Sequence, residues 1–300
     1  MQSGFQTPIL FLIFNRDDTA QAVFNEIKKQ SPKYLYVAAD GPRVHKAGEA
    51  ENCRRTRAII DQVDWDCEVK TLFRESNLGC GRAVSEAITW FFNNVEKGII
   101  LEDDCLPDPS FFSYMEELLL KYENDERVSA ISGDNFIAKP LPNNESYFFG
   151  IYHHIWGWAS WRRAWNGYDL KMTKWVASRD SGLLEKIFAD KAERAYWTNI
   201  LNACSEDKID TWDYQWTFNC WNKEALVIHP NVNMVKNIGF DDRATHTKDD
   251  NGFSLEVFKM NFPLKHPLLV ERNKKLEKAM WEKSFKPQGR LSRIVRKIFK

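Results

Sequence analysis

Residues 98–112 read GIILEDDCLPDPSFF, an apolar run that leads directly into three consecutive carboxylates, Glu102, Asp103 and Asp104. A short apolar run of this kind, bounded by turn residues, is typical of a buried strand. Like charges this close repel one another, and an unpaired carboxylate is costly to remove from water. The stretch therefore predicts a buried strand that ends in carboxylates because a function requires them there.

The first 135 residues alternate between such runs and helical patterns. The other runs are PILFLIF at 8–14, YLYVAAD at 34–40 and EVKTLF at 68–73, and Asp108 followed by Pro109 begins a further helix. The order predicts an α/β fold with a mostly parallel, Rossmann-like sheet flanked by helices. Because ligands of such sheets bind beyond the carboxyl ends of the strands, we expect the functional residues to follow the strands.

Composition narrows the classes of protein that the chain can belong to. The 300 residues include 42 basic and 42 acidic ones, so no excess charge favours nucleic acid as a partner. The 6 cysteines show no C-x-x-C spacing, which argues against a zinc ribbon and for reduced thiols in the cytoplasm. The run at 8–14 is too short for a membrane span and lacks the features of a signal peptide.

The pattern changes after about residue 140, where the chain becomes rich in aromatic residues. Helical patterns follow near 182–204 and 211–222, and ALVIHP at 225–230 resembles a strand. We expect one continuous domain with two halves and a tail. The expected divisions are residues 1–140, which would bind a nucleotide sugar, 141–270, which would bind the acceptor and carry catalysis, and the tail 271–300.

The C-terminal stretch GRLSRIVRKIFK, residues 289–300, has apolar residues at helical spacing and basic residues elsewhere. A basic amphipathic helix of this kind suits an anionic membrane surface. The alternative is a helix docked on the body of the protein with its basic face in water. We expect a cytoplasmic protein that attaches peripherally to the inner face of the membrane through this tail.

Three interpretations of the acidic triplet compete. The carboxylates could cap the helix that follows and face water, or they could form an acid–base pair for glycoside hydrolysis. Neighbours in an extended chain point in opposite directions, so they make a poor flanking pair for hydrolysis. Carboxylate oxygens also suit Mg²⁺ or Mn²⁺, which bind the phosphates of a substrate. The third interpretation explains the triplet best.

The stretch LEDDCLPDPSFF resembles the Asp-x-Asp region of the GT-A fold glycosyltransferases, in particular the N-acetylglucosaminyltransferase I type and related bacterial sugar transferases. Other segments follow in the order that this family shows. They are FLIFNRDDT, LYVAADGPR, ESNLGCGRAVSEAI, GWASWRRAW, TWDYQW and NIGFDDRATHT, which together span roughly residues 7–250. The resemblance implies a GT-A fold with an aromatic-rich lobe for the acceptor.

The resemblance also implies roles for individual residues. Asp104 would bind Mn²⁺ or Mg²⁺, and His246 could be a further ligand, as a histidine is in some enzymes with this fold. The donor would contact residues that follow the strands. These are Asn15, Arg16, Asp40, Gly41, Arg74, Asn77, Gly79, Arg82, Glu102 and Asp103. For Asn77 and Gly79 the alternative is an ordinary turn, and for Arg82 a solvated position in the first turn of a helix.

Asp213, between Trp212 and Tyr214, would be the catalytic base, since partial burial would raise its pKa. Alternatively it caps the helix that it begins, and Asp210 is then the next candidate. Trp158, Trp161 and Trp212 could present flat faces to the acceptor. The helical spacing of Trp158, Trp161 and Trp165 makes core packing an equal alternative.

The expected function is that of a metal-dependent, inverting glycosyltransferase. It would move a sugar, which by the family resemblance would be N-acetylglucosamine, from a UDP-sugar to a glycan or lipid-linked acceptor in surface polysaccharide biosynthesis. One alternative is a sugar-phosphate nucleotidyltransferase, although FLIFNRDDT has no glycine where those enzymes have a glycine-rich segment. A second is a non-catalytic protein that binds glycans or acts on membranes, which would have no need of Asp104 or Asp213.

Overall fold

A computed structural model describes residues 5–137, 144–240 and 255–286 of the chain. The first half alternates strands and helices, as its pattern predicts. Its elements are β1 (Ile9–Ile13), α1 (Asp17–Gln30), β2 (Tyr34–Ala39), α2 (Glu49–Arg57), a 3₁₀ turn (Ala58–Gln62), β3 (Glu68–Phe73), α3 (Cys80–Asn94), β4 (Lys97–Glu102), β5 (Cys105–Pro107) and α4 (Ser110–Lys121).

The second half mixes short strands with helices. Its elements are β6 (Val128–Ser132), β7 (Tyr147–Gly150), β8 (Trp158–Trp161), α5 (Arg162–Trp165), α6 (Trp175–Asp180), α7 (Leu183–Ile187), α8 (Lys191–Ser205), α9 (Asp213–Asn222), β9 (Leu226–Pro230), β10 (Val235–Asn237), α10 (Lys274–Met280) and a π-helical turn (Trp281–Phe285). No helix in the described ranges is long and apolar enough to cross a membrane.

Eight strands of the described residues form one sheet in the order β3-β2-β1-β4-β8-β6-β9-β7. Strands β1 to β4 are mutually parallel, and so are β6 and β9, whereas β8 and β7 run antiparallel to their neighbours. The expected α/β class with a mostly parallel, Rossmann-like sheet is confirmed. The carboxyl ends of β1, β2 and β4 meet at one edge.

Both faces of this sheet are covered, which explains why its strands read as continuous apolar runs. One face packs against α1 and α4 through residues such as Phe24 and Met115. The other face packs against α3 and α9 through residues such as Phe91 and Trp216. A third cluster joins α8 to the C-terminal turn, where Trp197 and Trp281 are buried. The second half thus carries an aromatic core of its own.

Two patterns of helical spacing are divided between elements in the structure. Trp158 to Trp161 form the strand β8, because β8 pairs with β4 on one side and β6 on the other. The helical pattern at 182–204 is two helices, α7 and α8, with Asp190 accepting a hydrogen bond from the backbone N–H of Ala192 at the start of α8. Residues 287–300 of the basic tail lie outside the described residues.

Candidate functional site

The acidic triplet lies at the end of β4, where its side chains diverge. Glu102 is in register with Leu12 of β1, so its side chain projects to the face that α3 and α9 cover. Asp103 follows the strand and turns towards β1, where its Oδ2 accepts a hydrogen bond of 3.0 Å from the backbone N–H of Phe14. Asp104 lies beside Asp103 on the path to β5. The strand end therefore distributes its carboxylates around the end of the neighbouring strand.

Arg16 links the two aspartates. Its guanidinium lies 3.2 Å from Oδ1 of Asp103 and 2.7 Å from Oδ2 of Asp104, and it also donates to the carbonyl of Gly239. All three charged side chains are largely buried. Burial alone would lower the pKa of Arg16, but the two aspartates raise it above its ordinary value. The arginine therefore stays charged and compensates the carboxylates.

The remaining carboxylate of the triplet has no such partner. Oε1 of Glu102 is buried without a hydrogen-bond partner among the described residues. Burial, followed by the charges of Asp104, Asp103 and Asp213, raises the pKa of Glu102 well above its usual range. Burial and the charge of Asp104 raise the pKa of Asp103 as well, against the lowering effect of Arg16. The site holds more negative charge than one arginine neutralises.

The donor set suits a hard cation. A Cβ at Gly239 would overlap Oδ2 of Asp104 and approach the guanidinium of Arg16, so the glycine lets the backbone pack directly against this ion pair. No three acidic, histidine or cysteine side chains of the described residues converge on one point as a metal cage. Mg²⁺ is commonly held by only one or two carboxylates together with substrate phosphates, so Asp103 and Asp104 fit it. His246 lies outside the described residues.

Asp40, at the end of β2, holds a loop together. Its carboxylate accepts hydrogen bonds from the backbone N–H groups of Gly41, Leu78 and Gly79 and from the side chain of Asn77, at 2.8 to 3.2 Å. Asn77 also donates to the carbonyl of Gly41. These donors occupy the acceptor positions of a carboxylate. The structure therefore gives Asp40 and Asn77 a positioning role, in which they fix the turn before α3 at the rim of the pocket.

The other two arginines predicted to contact the donor, Arg74 and Arg82, lie in different places. Arg74 lines the pocket, whereas the side chain of Arg82 is 62% exposed and is not among the lining residues. Both pair with Glu86, at 2.7 Å each. Arg82 points into solvent because it occupies the first turn of α3. The structure thus does not bring Arg82 to the site.

Sequence patterns did not identify Arg43 and Glu49 as members of the site. Arg43 lines the pocket and forms an ion pair with the buried Glu49, which also accepts a hydrogen bond of 2.9 Å from Asn15. The pair lies in the connection after β2 and at the start of α2, in a polar stretch without periodicity. The sequence signal is weak because charged residues in a loop are usually solvated.

Asp213 and Asp210 enter the pocket from the second half. Asp213 is the first residue of α9, and its Oδ1 accepts a hydrogen bond from the hydroxyl of Thr211. Asp210 accepts from the backbone N–H groups of Cys80 and Gly81 at 3.0 and 2.8 Å, and so caps the start of α3. Asp210 therefore joins the two halves by capping α3, which is a different helix from the one that Asp213 begins.

The tryptophans predicted to contact the acceptor are core residues. Trp158 and Trp161 are buried and absent from the pocket lining. The ring of Trp158 stacks on Trp212 with centroids 5.7 Å apart, and Nε1 of Trp161 donates to the carbonyl of Leu119. Trp212 lines the pocket but is only 2% exposed. The alternative of core packing describes Trp158 and Trp161, because each lies on a strand between two others.

Charged side chains and aromatic side chains line one cavity of about 880 Å³. One part, the charged half, lies at the strand ends and is lined by Asn15, Arg16, Arg43, Arg74, Glu102, Asp103, Asp104 and Asp213. The other part, the aromatic chamber, is lined by Phe136, His154, Tyr196, Trp197, Tyr214, Ser284 and Phe285. The sequence did not point to the chamber, since its residues come from segments far apart in the chain.

Comparisons of the sequence with family models and with curated proteins gave no match. Among solved structures, a cytidylyltransferase from Leptospira borgpetersenii is similar at 14% identity and a TM-score of 0.34, over 55% of this chain and 64% of that chain. The 4-diphosphocytidyl-2C-methyl-D-erythritol synthase of Anaerococcus prevotii matches at 9% identity and a TM-score of 0.36, over 75% and 87%. A UDP-glucose pyrophosphorylase in complex with UDP-glucose matches at 9% identity and a TM-score of 0.34, over 74% and 90%.

These comparisons contradict the prediction of a glycosyltransferase that moves a sugar to a glycan or lipid-linked acceptor. The similar structures are nucleotidyltransferases, the class that the sequence offered as the first alternative. At these identities and TM-scores the similarity concerns the arrangement of strands and helices alone. The reaction must therefore be argued from the groups in the pocket.

Proposed function

We propose that this chain is a divalent-cation-dependent nucleotidyltransferase that joins a nucleotide to a sugar phosphate. The observation that carries the proposal is the placement of Arg16 between Asp103 and Asp104, at the strand ends that open into the 880 Å³ cavity. This arrangement offers positive charge and carboxylate oxygens side by side. Together they match a nucleoside triphosphate with its bound cation.

The charge of the pocket supports two phosphorylated substrates. Arg16, Arg43 and Arg74 line the charged half, and guanidinium groups bind phosphate oxygens in a bidentate manner. Arg16 replaces the glycine-rich backbone that the first strand lacks, because a side chain can reach the phosphates from a turn without glycine. When phosphates bind, they offer Arg16 a second set of oxygens besides those of the aspartates.

Asp103 and Asp104 would hold Mg²⁺ or Mn²⁺ together with the phosphates. When bound, such an ion neutralises charge on the phosphates and on the leaving group. The chain's own residues do the rest. Arg16 and Arg74 orient the triphosphate, while the loop that Asp40 and Asn77 hold in place shapes the rim beside it.

In the reaction, an oxygen of the sugar phosphate attacks the α-phosphorus of the nucleoside triphosphate. The new bond joins the two phosphates, the bond between the α-phosphorus and the bridging oxygen breaks, and pyrophosphate leaves with that oxygen. The attacking phosphate is already largely ionised at neutral pH, since its second pKa is about 6. No side chain has to remove a proton from it. Asp213, engaged by Thr211, is free of that requirement.

Each half of the domain would supply the binding site of one substrate. The half at 1–140 supplies the arginines and the acidic triplet and would bind the nucleotide. The half at 141–270 supplies α8 and α9 and would bind the second substrate, with help from the turn before residue 286. A cavity of about 880 Å³ is within the range of sites that enclose small ligands.

The test is an assay of pyrophosphate release by the full chain. Each of the four nucleoside triphosphates is combined with a panel of hexose 1-phosphates and Mg²⁺, Mn²⁺ or chelator. We expect release that needs the sugar phosphate and the cation, and that falls by about 100-fold or more in Asp104→Asn. Asp61→Asn, the same change at an exposed aspartate outside the pocket, is the control.

Three results would contradict the proposal. They are absence of release with every combination, release that persists in chelator, and equal rates for Asp104→Asn and Asp61→Asn. The first is informative only with folded protein, so the circular dichroism spectrum and thermal unfolding of each variant are measured in parallel.

A further inference from the structure

The aromatic chamber is built from five separate segments of the chain. Tyr196 and Trp197 come from α8, and Tyr214 comes from α9. Ser284 and Phe285 come from the turn that ends the described part of the chain. Phe136 and His154 complete the lining. The chamber and the charged half belong to one cavity, so a single ligand can extend from one into the other.

The chamber carries no charge among these residues. The one titratable ring in the group that could become a cation is that of His154, and burial lowers its pKa to about 3. The imidazole is therefore neutral at any physiological pH. The charged side chains that were named as lining the cavity all belong to the charged half. The part of a substrate that enters the chamber should be uncharged.

Two residues that line the chamber each carry a polar atom without a described partner. Nε2 of His154 and Oγ of Ser284 are buried and make no hydrogen bond to any described residue. His154 is only 9% exposed, and its ring lies between Phe136, at 4.4 Å, and Phe285, at 5.8 Å, which fixes the ring plane. A buried polar atom without a partner is destabilising, so a ligand that bonds to both atoms removes that cost.

The rings are poorly arranged for a flat nucleobase. Tyr196 meets Trp197 at 89°, and Trp197 meets Tyr214 at 74°. The parallel pair His154 and Phe285, at 5.8 Å, is already in direct contact and leaves no gap for a third ring. A sugar ring differs from a base, because it offers an apolar face of C–H groups to one aromatic ring and hydroxyls at its rim.

We propose that the aromatic chamber binds the sugar ring of the second substrate, and that hydroxyls of this ring bond to His154 Nε2 and Ser284 Oγ. The proposal rests on the proposed function, which supplies the sugar phosphate. The phosphate lies in the charged half and the ring in the chamber. The division of the cavity into a charged and an uncharged part thus follows the two parts of the substrate.

The test measures binding of hexose 1-phosphates to the full chain by saturation-transfer difference NMR. We expect saturation of the ring protons with the wild type, and loss of affinity by tenfold or more in Ser284→Trp, whose indole fills the chamber. Ser181→Trp places the same side chain at an exposed serine outside the cavity and should bind as the wild type does. Nucleoside triphosphate binding with Mg²⁺ is titrated calorimetrically on the same samples.

A second variant covers the case in which Ser284→Trp does not fold. His154→Phe keeps a ring of similar shape in the stack and removes both ring nitrogens, so we expect severalfold weaker sugar phosphate binding and unchanged triphosphate binding. Unaltered affinity in both variants, or no saturation of any hexose 1-phosphate by the wild type, would overturn the inference. Sugar phosphate binding without triphosphate binding would instead refute the proposed nucleotidyl transfer.

Discussion

The charged half and the aromatic chamber differ in how far the protein itself supplies hydrogen-bond partners for their polar groups. In the charged half, most protein groups satisfy one another. Arg16 bridges two aspartates, and the nearby Asp40 accepts hydrogen bonds from Gly41 and from three groups of the turn before α3. Oε1 of Glu102 is the exception, since it has no described partner. In the aromatic chamber, His154 and Ser284 each keep a buried polar atom without a described partner. The charged half is therefore assembled before substrate arrives, whereas the chamber would be completed by it.

The difference has a physical origin. A charge that is buried without compensation is costly, so Asp103 and Asp104 need Arg16, whereas burial raises the pKa of the unpartnered Glu102. A neutral imidazole or hydroxyl costs far less when it is left unpaired. The charged groups are therefore already positioned for a phosphate or a cation. The uncharged groups can stay unpaired until a ligand binds, at a modest cost in stability.

The largest effect is expected from the removal of Arg16, which bridges Asp103 and Asp104 in the charged half. In Arg16→Ala, we expect the rate of pyrophosphate release to fall about a thousandfold, because the phosphates lose a donor and two buried carboxylates lose their countercharge. Arg54→Ala, at an arginine with a 70% exposed side chain paired with Glu51, is the control and should keep the wild-type rate. A loss of less than tenfold in Arg16→Ala would show that the bridge is not part of the reaction.

A second prediction concerns Asp134, a fully buried carboxyl near the chamber that accepts hydrogen bonds from Ser132 and Trp156 without a charged partner. Burial raises its pKa to about 8, well above the unfolded value of about 3.9. Between these values the folded state holds one proton more than the unfolded state. The contribution of Asp134 to stability is therefore complete at low pH and is lost as the pH rises to about 8.

Replacement of Asp134 by Asn removes this titration. The free energy of unfolding should then decline less steeply between pH 5 and 8 than in the wild type, by up to about 1.4 kcal/mol per pH unit. The two slopes should agree above pH 9. Urea unfolding at a series of pH values measures them, with Asp61→Asn as the exposed control. Parallel curves across the whole range would mean that Asp134 titrates normally.

A third prediction sharpens the description of the Asp40 loop. A Cβ at Gly41 would overlap the backbone of Ser76, so Gly41→Ala should push the loop after β2 away from the loop after β3. We expect a loss of about 1–3 kcal/mol in the free energy of unfolding, measured by urea titration, and weaker triphosphate binding. Ser76→Ala changes only the exposed side chain of the neighbour and should leave both unchanged. Wild-type stability of Gly41→Ala would show that the loop yields without cost.

The smallest expected effect separates two arginines that share a partner. Arg74→Gln should weaken triphosphate binding by about tenfold, because Arg74 lines the cavity and offers a charged hydrogen bond. Arg82→Gln removes the other partner of Glu86 from the surface and should change the affinity by less than about twofold. Calorimetric titration with the triphosphate and Mg²⁺ measures both. Equal effects would mean that the loss acts through Glu86.

Much of the fold was predictable because its signals are local. The apolar runs at 8–14 and 98–104 and the helical stripes between them depend on periodicity within a few residues, and the structure confirms them as β1, β4 and their helices. The helical spacing of Trp158, Trp161 and Trp165 does not correspond to one helix. Three- and four-residue spacings also arise in a strand followed by a short helix, here β8 and α5. Only the pairing of β8 with β4 and β6 resolves it.

By itself, the sequence determined the order of strands and helices and the carboxylates at the end of β4, since both follow from residues close together in the chain. The tertiary structure alone decided which charges meet. Arg16 and Asp103 are 87 residues apart, and Asp210 caps a helix 130 residues away. Such contacts depend on how the layers pack, and no local pattern records them. The aromatic chamber has the same origin, because its walls exist only after α8, α9 and the C-terminal turn have come together.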